Sequence, residues 1–159
     1  MINLRKMAGA FLTYKDEILL IKRGMHKKLA PGMWSCIGGH MEQEEHNNPL
    51  AACFREVEEE TGISQSSIVN LSLRYITTRR IDDEIRTGYY FFGSTSHKCV
   101  LPECPEGTLH WIKISDMADL PMTFSIKSIS RHWQNNQDCH NIFLCGINNE
   151  NTQITWTML

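Results

Sequence analysis

Short apolar runs separated by polar turns cover most of the chain and predict a protein rich in β-strands. Met7 to Tyr14 and Glu17 to Arg23 are two such runs, and the polar pair Lys15-Asp16 joins them. Val69 to Arg80 and Glu84 to Ser94 repeat this arrangement around a second polar turn. Paired apolar runs with a short polar connection are typical of β-hairpins.

The remaining apolar runs predict further strands. A strand from Met33 to Ile37 is expected to end at a turn formed by Gly38 and Gly39. Leu109 to Ile114 predicts another strand. Asn141 to Ile147 and Gln153 to Met158 predict a closing hairpin.

Two segments carry helix signals instead. Asn48 is a good N-cap, Pro49 suits the first helical position, and no helix-breaking residue interrupts Leu50 to Thr61. Gly62 is then expected to stop the helix. Apolar residues recur on this helix with spacings of three and four, which predicts a core-facing stripe. The residues assigned to that stripe are Leu50, Cys53, Phe54 and Val57.

Thr123 is expected to cap a second helix, which runs from Phe124 to about Gln134. The order is strands, a helix, more strands, a helix and a hairpin, which predicts a mixed sheet between helices, an α/β/α sandwich. No repeat, linker or low-complexity tract divides the chain, so residues 1–159 are expected to form one domain.

Composition excludes several classes of function. A hydrophobic fraction of 42%, a charged fraction of 21% and a net charge of -2 are those of a globular protein, with no excess of positive charge to attract a nucleic-acid polymer or a membrane. The polar N-terminus does not resemble a signal peptide, and no apolar run reaches the ~20 residues of a membrane span. The predicted location is cytoplasmic, and both a monomer and a homodimer remain open.

The six cysteines are scattered, which argues against a disulfide framework. Cys36 and Cys53 fall in an apolar strand and in the first helix, where cysteine serves as a small buried hydrophobe. Cys99 and Cys104 are close enough in sequence to suggest zinc, but no second close pair supports such a site.

The first helix carries the candidate chemistry. Glu56, Glu59 and Glu60 are three and four residues apart, so their carboxylates project from one helical face and repel each other. A hard dication such as Mg²⁺, with Mn²⁺ as the alternative, would relieve that repulsion, and such ions usually share a ligand shell with substrate phosphates. The competing interpretation is a solvated acidic helix face.

These residues belong to a longer segment that resembles the Nudix box, whose pattern is G-x5-E-x7-R-E-U-x-E-E-x-G-U, where U is aliphatic. Gly39 and Glu45 match the first part, and residues 55–63 match every specified position of the second part. The one departure is the spacer, because His46 to Phe54 spans nine residues where the pattern has seven. We interpret this difference as a two-residue insertion before Pro49.

The resemblance implies a Mg²⁺-dependent hydrolase of a nucleoside diphosphate linked to another group. It implies that Glu59 and Glu60 bind the metal, that Glu56 is a ligand or the general base, and that the Gly39 carbonyl joins the metal shell. Arg55 is expected to orient a glutamate. Family members often add an acid from a later loop, and Glu106 is the candidate here.

The identity of the substrate is less well determined. Arg23 is a candidate for binding a phosphate, with a solvated strand end as the alternative. Trp34 is a candidate for stacking on a base, as are Tyr75, Tyr90 and Phe92, although aromatic residues on strands usually belong to the core. The chain resembles MutT-like family members, which favours a free or oxidised nucleoside triphosphate cut to a monophosphate and pyrophosphate.

Two alternatives remain at this point. The first is a pyrophosphatase for ADP-ribose or for a nucleotide sugar. The second is a ligand-sensing, non-catalytic module, although such modules usually lose the acids that this chain retains. The sequence does not determine which phosphorus is attacked or which acid is the base.

Overall fold

The computed structural model describes residues 1–159 and contains nine strands and two α-helices. The strands are β1 (Asn3–Tyr14), β2 (Glu17–Arg23), β3 (Trp34–Ser35), β4 (Ile37–His40), β5 (Ile68–Ile81), β6 (Glu84–Thr95), β7 (Gly107–Lys113), β8 (Phe143–Ile147) and β9 (Ile154–Met158). The helices are α1 (Pro49–Thr61) and α2 (Phe124–Gln134). Short 3₁₀ helices lie at Gln43–Glu45, Gln65–Ser67 and Ile114–Asp119.

All nine strands belong to one mixed sheet, in the order β3-β2-β1-β6-β5-β8-β9. Strand β4 pairs with β1, and β7 pairs with β2. The predicted hairpins β1–β2, β5–β6 and β8–β9 are antiparallel, whereas β1–β6 and β5–β8 are parallel. The mixed sheet and its flanking helices confirm the predicted fold class.

The two faces of the sheet form separate cores. Helix α1 packs through Ala52, Cys53 and Val57 on one face, and α2 packs through Ile126, Ile129 and Trp133 on the other. Strand β1 supplies both cores, because successive side chains of a strand point to opposite faces. The α/β/α layering therefore follows from alternation along the central strands.

The ends of α1 lie close to their predicted positions. The Asn48 side chain accepts a hydrogen bond from the Ala51 N–H at 3.2 Å, and Pro49 is the first helical residue. Gly62 ends the helix in the left-handed conformation, with φ of 70°. Helix α2 also has its predicted bounds, but the Thr123 side chain makes no capping hydrogen bond.

The predicted apolar stripe of α1 was partly wrong. Val57 and Cys53 are buried as expected, but Leu50 is 40% exposed and Phe54 is only partly buried. The buried face is rotated so that it includes Ala52 instead, and it ends at Glu60 and Thr61. This rotation turns an acidic residue of the helix inward against the sheet.

The predicted strand from Met33 to Ile37, ended by a glycine turn, was also wrong. The segment splits into β3, which pairs with β2, and β4, which pairs with β1. Gly38 and Gly39 lie inside β4, opposite Gly9 and Ala8 of β1. The glycines therefore bring two strands close together where a turn was expected.

All six cysteines are unpaired, and Cys36 and Cys53 are buried as expected. Neither helix has the length and apolar character that crossing a bilayer requires.

A substitution at Gly38 tests the close approach of β4 to β1. Its φ is +147°, and an added Cβ would overlap the Ala8 carbonyl oxygen and lie 2.6 Å from the Gly9 Cα. We expect Gly38→Ala to lower the free energy of unfolding by roughly 3 kcal/mol or more, because strain and overlap with backbone atoms combine. Gly62→Ala is the control: its φ is +70° but no atom lies within 4 Å, so the expected loss is about 1 kcal/mol. If urea denaturation showed the same loss of unfolding free energy for both variants, this explanation would be wrong.

Candidate active site

The three clustered acids of α1 line one cavity but differ in burial. Glu60 is buried, at 9% exposure. The side chain of Glu56 is 13% exposed and that of Glu59 is 59% exposed. The cavity has a volume of about 860 Å³, within the usual range for a small-ligand site. The helical spacing thus places the carboxylates along a path from the sheet to solvent.

Glu60 lies deepest and contacts the backbone of β4. Its Oε2 accepts a hydrogen bond from the Gly38 N–H at 3.0 Å. Burial raises the pKa of Glu60 to about 7, the hydrogen bond from Gly38 opposes that rise, and the charges of Glu56 and Glu106 add to it. Burial also raises the pKa of Glu56, against the opposing effect of Arg55.

Arg55 connects the acids to one another. Its Nε and Nη2 donate to the two carboxylate oxygens of Glu45, at 2.7 and 2.8 Å. Its Nη1 donates to Glu56 at 2.9 Å and to Glu59 at 3.1 Å. Its Nη2 also donates to the His40 carbonyl at 3.1 Å. These contacts hold the guanidinium in one position, within hydrogen-bond distance of three carboxylates.

Glu45 reaches Arg55 despite the two additional residues in the spacer. It ends the 3₁₀ helix Gln43–Glu45, where its side chain accepts a hydrogen bond from the Glu42 N–H at 2.9 Å. The extra length lies between this 3₁₀ helix and Pro49. The Arg55 hydrogen bonds lower the pKa of Glu45, so this carboxylate remains ionised as the partner of Arg55.

Glu106 and Arg23 also line the cavity. Glu106 forms an ion pair with the Lys27 ammonium, with 2.6 Å between Nζ and Oε1. The Arg23 Nε donates to the Leu29 carbonyl at 3.0 Å, and the Arg23 charge lowers the pKa of Glu60. Both side chains are therefore near the acids of α1.

Trp34 does not line the cavity. Its ring lies beside the Lys22 ammonium and packs edge-on against His110, with ring centroids 5.1 Å apart. Of the other aromatic residues considered, Tyr90 lines the cavity, whereas Tyr75 and Phe92 are buried in the α2-side core. Of the two predicted substrate-binding residues, Arg23 lines the cavity and Trp34 does not, although the two lie on adjacent strands.

The acids suit a hard dication in their chemistry, since all of the donor atoms are oxygen. No three acidic, histidine or cysteine side chains converge on one point, and Arg55 draws Glu56 and Glu59 toward its guanidinium. Burial is the main cause of the raised pKa values of Glu56 and Glu60, and neighbouring carboxylates add to it. A bound dication would stabilise the ionised carboxylates.

The opposite wall of the cavity is basic, which sequence reasoning missed. Arg5, Arg79 and Arg86 lie there, together with His40. The only sequence signal was a set of arginines near strand ends, and nothing local indicated that they would meet.

Comparisons with known proteins identify the family of the chain. A model of the NUDIX domain family matches residues 3–133. The MutT protein of Bacillus halodurans superimposes with a TM-score of 0.73 at 24% identity, covering 97% of each chain. A MutT NUDIX hydrolase of Burkholderia pseudomallei superimposes with a TM-score of 0.64 at 25% identity, covering 81% of this chain and 97% of that chain.

Two relatives are similar in sequence. An isopentenyl-diphosphate Delta-isomerase of Corynebacterium diphtheriae is 31% identical over 65% of this chain, which spans only 60% of that protein's length. An uncharacterized Nudix hydrolase of Bacillus subtilis is 29% identical over 77% of this chain and 74% of its own length.

An α/β/α fold whose first helix lines a cavity with glutamates defines the class of protein, a Nudix domain. The chain belongs to the Nudix hydrolase family, whose enzymes act on pyrophosphate bonds.

The buried carboxyl of Glu60 predicts how stability depends on pH when metal is chelated. Below pH 4.5 the group is protonated in both states, and between 4.5 and about 7 only the folded protein keeps the proton. Stability should therefore fall as pH rises through this window and level off above it, by roughly 1–3 kcal/mol. Urea denaturation in EDTA measures this fall, and Glu60→Gln should remove it. Parallel pH curves for the two proteins would contradict the prediction.

Proposed function

We propose that this protein hydrolyses a nucleoside triphosphate to a nucleoside monophosphate and pyrophosphate, with Mg²⁺ as its metal. The observation that carries the proposal is the graded burial of three carboxylates along one wall of a cavity of nucleotide size. Such a wall is unfavourable when empty and favourable when a dication and a diphosphate bind to it. A purely solvated acidic face would not bury Glu60 against the Gly38 N–H.

Glu59 and Glu60 would hold the metal, with Glu56 and the Gly39 carbonyl as further donors and Mn²⁺ as the alternative ion. When bound, the metal supplies charge to the phosphate oxygens and lowers the pKa of a coordinated water. An added Cβ at Gly39 would lie 2.8 Å from both Glu56 carboxylate oxygens. Glycine at this position therefore lets the helix and the strand approach closely enough for side-chain and backbone donors to act together.

The remaining residues position charge. Arg55 also donates hydrogen bonds to Glu45 and to the His40 carbonyl, so its guanidinium is positioned independently of its contact with Glu56. The raised pKa of Glu56 makes this carboxyl a better base than an exposed glutamate, which supports its role in taking a proton from water. Glu106 and Arg23 line the same cavity, where Glu106 would be a further metal donor and Arg23 would bind a phosphate.

The choice of a triphosphate is supported by the overlap with the MutT protein over almost the full length of both chains. The other candidates come from relatives. The NUDIX domain of the Shewanella oneidensis protein NrtR, complexed with ADP ribose, superimposes with a TM-score of 0.64 at 15% identity. The name of the Corynebacterium relative indicates isopentenyl diphosphate, which also carries a diphosphate. Six unpaired cysteines suit a reducing compartment such as the cytoplasm, which we propose as the location.

A turnover panel tests the substrate class. It contains the nucleoside triphosphates, 8-oxo-dGTP, ADP-ribose, a nucleotide sugar and isopentenyl diphosphate, each with Mg²⁺ and with chelator. We expect the highest kcat/KM for a triphosphate, release of pyrophosphate rather than phosphate, and loss of turnover in chelator. If ADP-ribose were hydrolysed faster than every triphosphate, or if isopentenyl diphosphate were isomerised, the triphosphate proposal would be wrong. Tight binding in chelator with no turnover would favour a sensing module.

Substitutions that replace a carboxylate with a neutral amide of similar shape test the acids individually. We expect Glu59→Gln and Glu60→Gln each to lower kcat by about 10²- to 10⁴-fold, since each removes a charged ligand from the metal. Folding should be intact or improved, because repulsion within the cluster decreases. Glu58→Gln is the matched control, as Glu58 is exposed on the same helix and lies outside the cavity. If turnover were unchanged in both test variants, the assignment of Glu59 and Glu60 as metal ligands would be wrong.

A further inference from the structure

Three arginines form a row across the centre of the sheet. Arg5 of β1 is directly opposite Arg86 of β6, and Arg86 is directly opposite Arg79 of β5. All three line the same cavity as the acids of α1. We call these residues the arginine row.

Acidic residues neutralise only part of the arginine row. Glu84 contacts Arg86, and its Oε1 lies 3.9 Å from the Arg5 Nη1. Arg79 has only the neutral Asn151 as a side-chain partner, and its Nε is buried without any hydrogen bond. Three positive charges therefore share one carboxylate, and the least neutralised arginine has an unused donor.

This arrangement is unfavourable without a ligand. Like charges directly opposite on neighbouring strands destabilise a sheet. Burial and the neighbouring Arg86 lower the pKa of Arg79, which shows that its positive charge is disfavoured at this position. A bound anion would relieve the repulsion between the arginines.

The arginine row is linked to the acidic wall through one residue. The His40 side chain accepts a hydrogen bond from Arg5, and the His40 carbonyl accepts one from Arg55. The next cross-strand row of the cavity floor has a glycine at its centre, because Gly88 lies between Met7 and Thr77. An added Cβ at Gly88 would lie 2.7 Å from the Thr77 hydroxyl oxygen and 2.8 Å from the Tyr90 ring, so glycine here makes room for these two side chains, which also line the cavity.

We propose that the arginine row binds a phosphate group of the substrate that is not part of the linkage being cut. This inference rests on the proposed function for its substrates. Guanidinium groups in a row match phosphate, because each presents paired donors to two oxygens. The group has two sources: the terminal phosphate of a nucleoside triphosphate, or a phosphate on the ribose of a nucleotide.

Thermal unfolding with inorganic phosphate tests the row without turnover. In EDTA at constant ionic strength, we expect phosphate to raise the Tm of the unmodified protein by a few degrees, as a ligand of the folded state does. Arg79→Gln and Arg86→Gln should lose at least half of that rise. Arg80→Gln is the matched control, because Arg80 is exposed on the same strand and bonds only to the Asp82 carbonyl. No rise in the unmodified protein, or equal rises in all four proteins, would overturn the proposal.

Two matched substrate pairs then identify the source of the phosphate. ATP and ADP differ by the terminal phosphate, and NADPH and NADH differ by a ribose phosphate. With Mg²⁺, we expect Arg79→Gln and Arg86→Gln to lower the ratio of kcat/KM values within one pair by about 10- to 100-fold, the effect of a lost charge-assisted hydrogen bond. Arg80→Gln should preserve both ratios.

The possible results distinguish a failure of the proposed phosphate site from a failure of the proposed hydrolase function. A fall in the ATP/ADP ratio assigns the row to the terminal phosphate, and a fall in the NADPH/NADH ratio assigns it to the ribose phosphate. Preserved ratios in both pairs overturn the inference even where the enzyme is active. If neither pair is hydrolysed, the proposed function fails for these substrates, and the Tm measurement still decides whether the row binds phosphate.

Discussion

The contact between helix α1 and strand β4 is the constraint on which the site depends. Glu60 is buried where its carboxylate accepts a hydrogen bond from the Gly38 N–H, and the Glu56 carboxylate lies in the space that a side chain at Gly39 would fill. An added Cβ at Gly38 would overlap the backbone of β1, and one at Gly39 would overlap the Glu56 carboxylate, so glycine at both positions allows β4 to pack closely against β1 and α1. The apolar packing of Ala52, Cys53 and Val57 then holds an acidic helix at a distance that charge alone would oppose.

Charge is divided between the two walls of one cavity. The α1 wall carries more acid than Arg55 can neutralise, and the β1–β6–β5 wall carries more positive charge than Glu84 can neutralise. Where these side chains are partly buried, each excess of charge is unfavourable, and a ligand of opposite charge would relieve it. A metal-bound diphosphate with a further phosphate, the ligand that we propose, would carry both kinds of charge.

The comparisons identify the fold and the family but leave specificity to individual residues. The Bacillus halodurans MutT protein shares 24% identity while covering 97% of each chain, so the fold is retained although most side chains differ. A relative named as an isomerase shares 31% identity over part of its length. Within such a fold, specificity is set by the side chains that line the cavity, which here include three glutamates of α1 and the arginine row.

Local rules explain what the sequence determined alone. The spacing of Glu56, Glu59 and Glu60 places them on one helical face in any α-helix, and the capping residues Asn48 and Gly62 act on their own neighbours. The strand pairs joined by short turns followed for the same reason. The helix, the clustering of its acids on one face and the hairpins therefore follow from interactions between residues that are close together in the chain.

Tertiary structure decided the features that depend on residues distant in the chain. Which face of α1 is buried, and that Glu60 belongs to it, depends on how closely β4 approaches. The position of Trp34 outside the cavity depends on its pairing with Lys22 of β2 and its packing against His110 of β7. The arginine row needs the register of β1 against β6 and of β6 against β5, which brings Arg5 beside residues about eighty positions away. Register is set by packing across the whole sheet, so no local pattern encodes it.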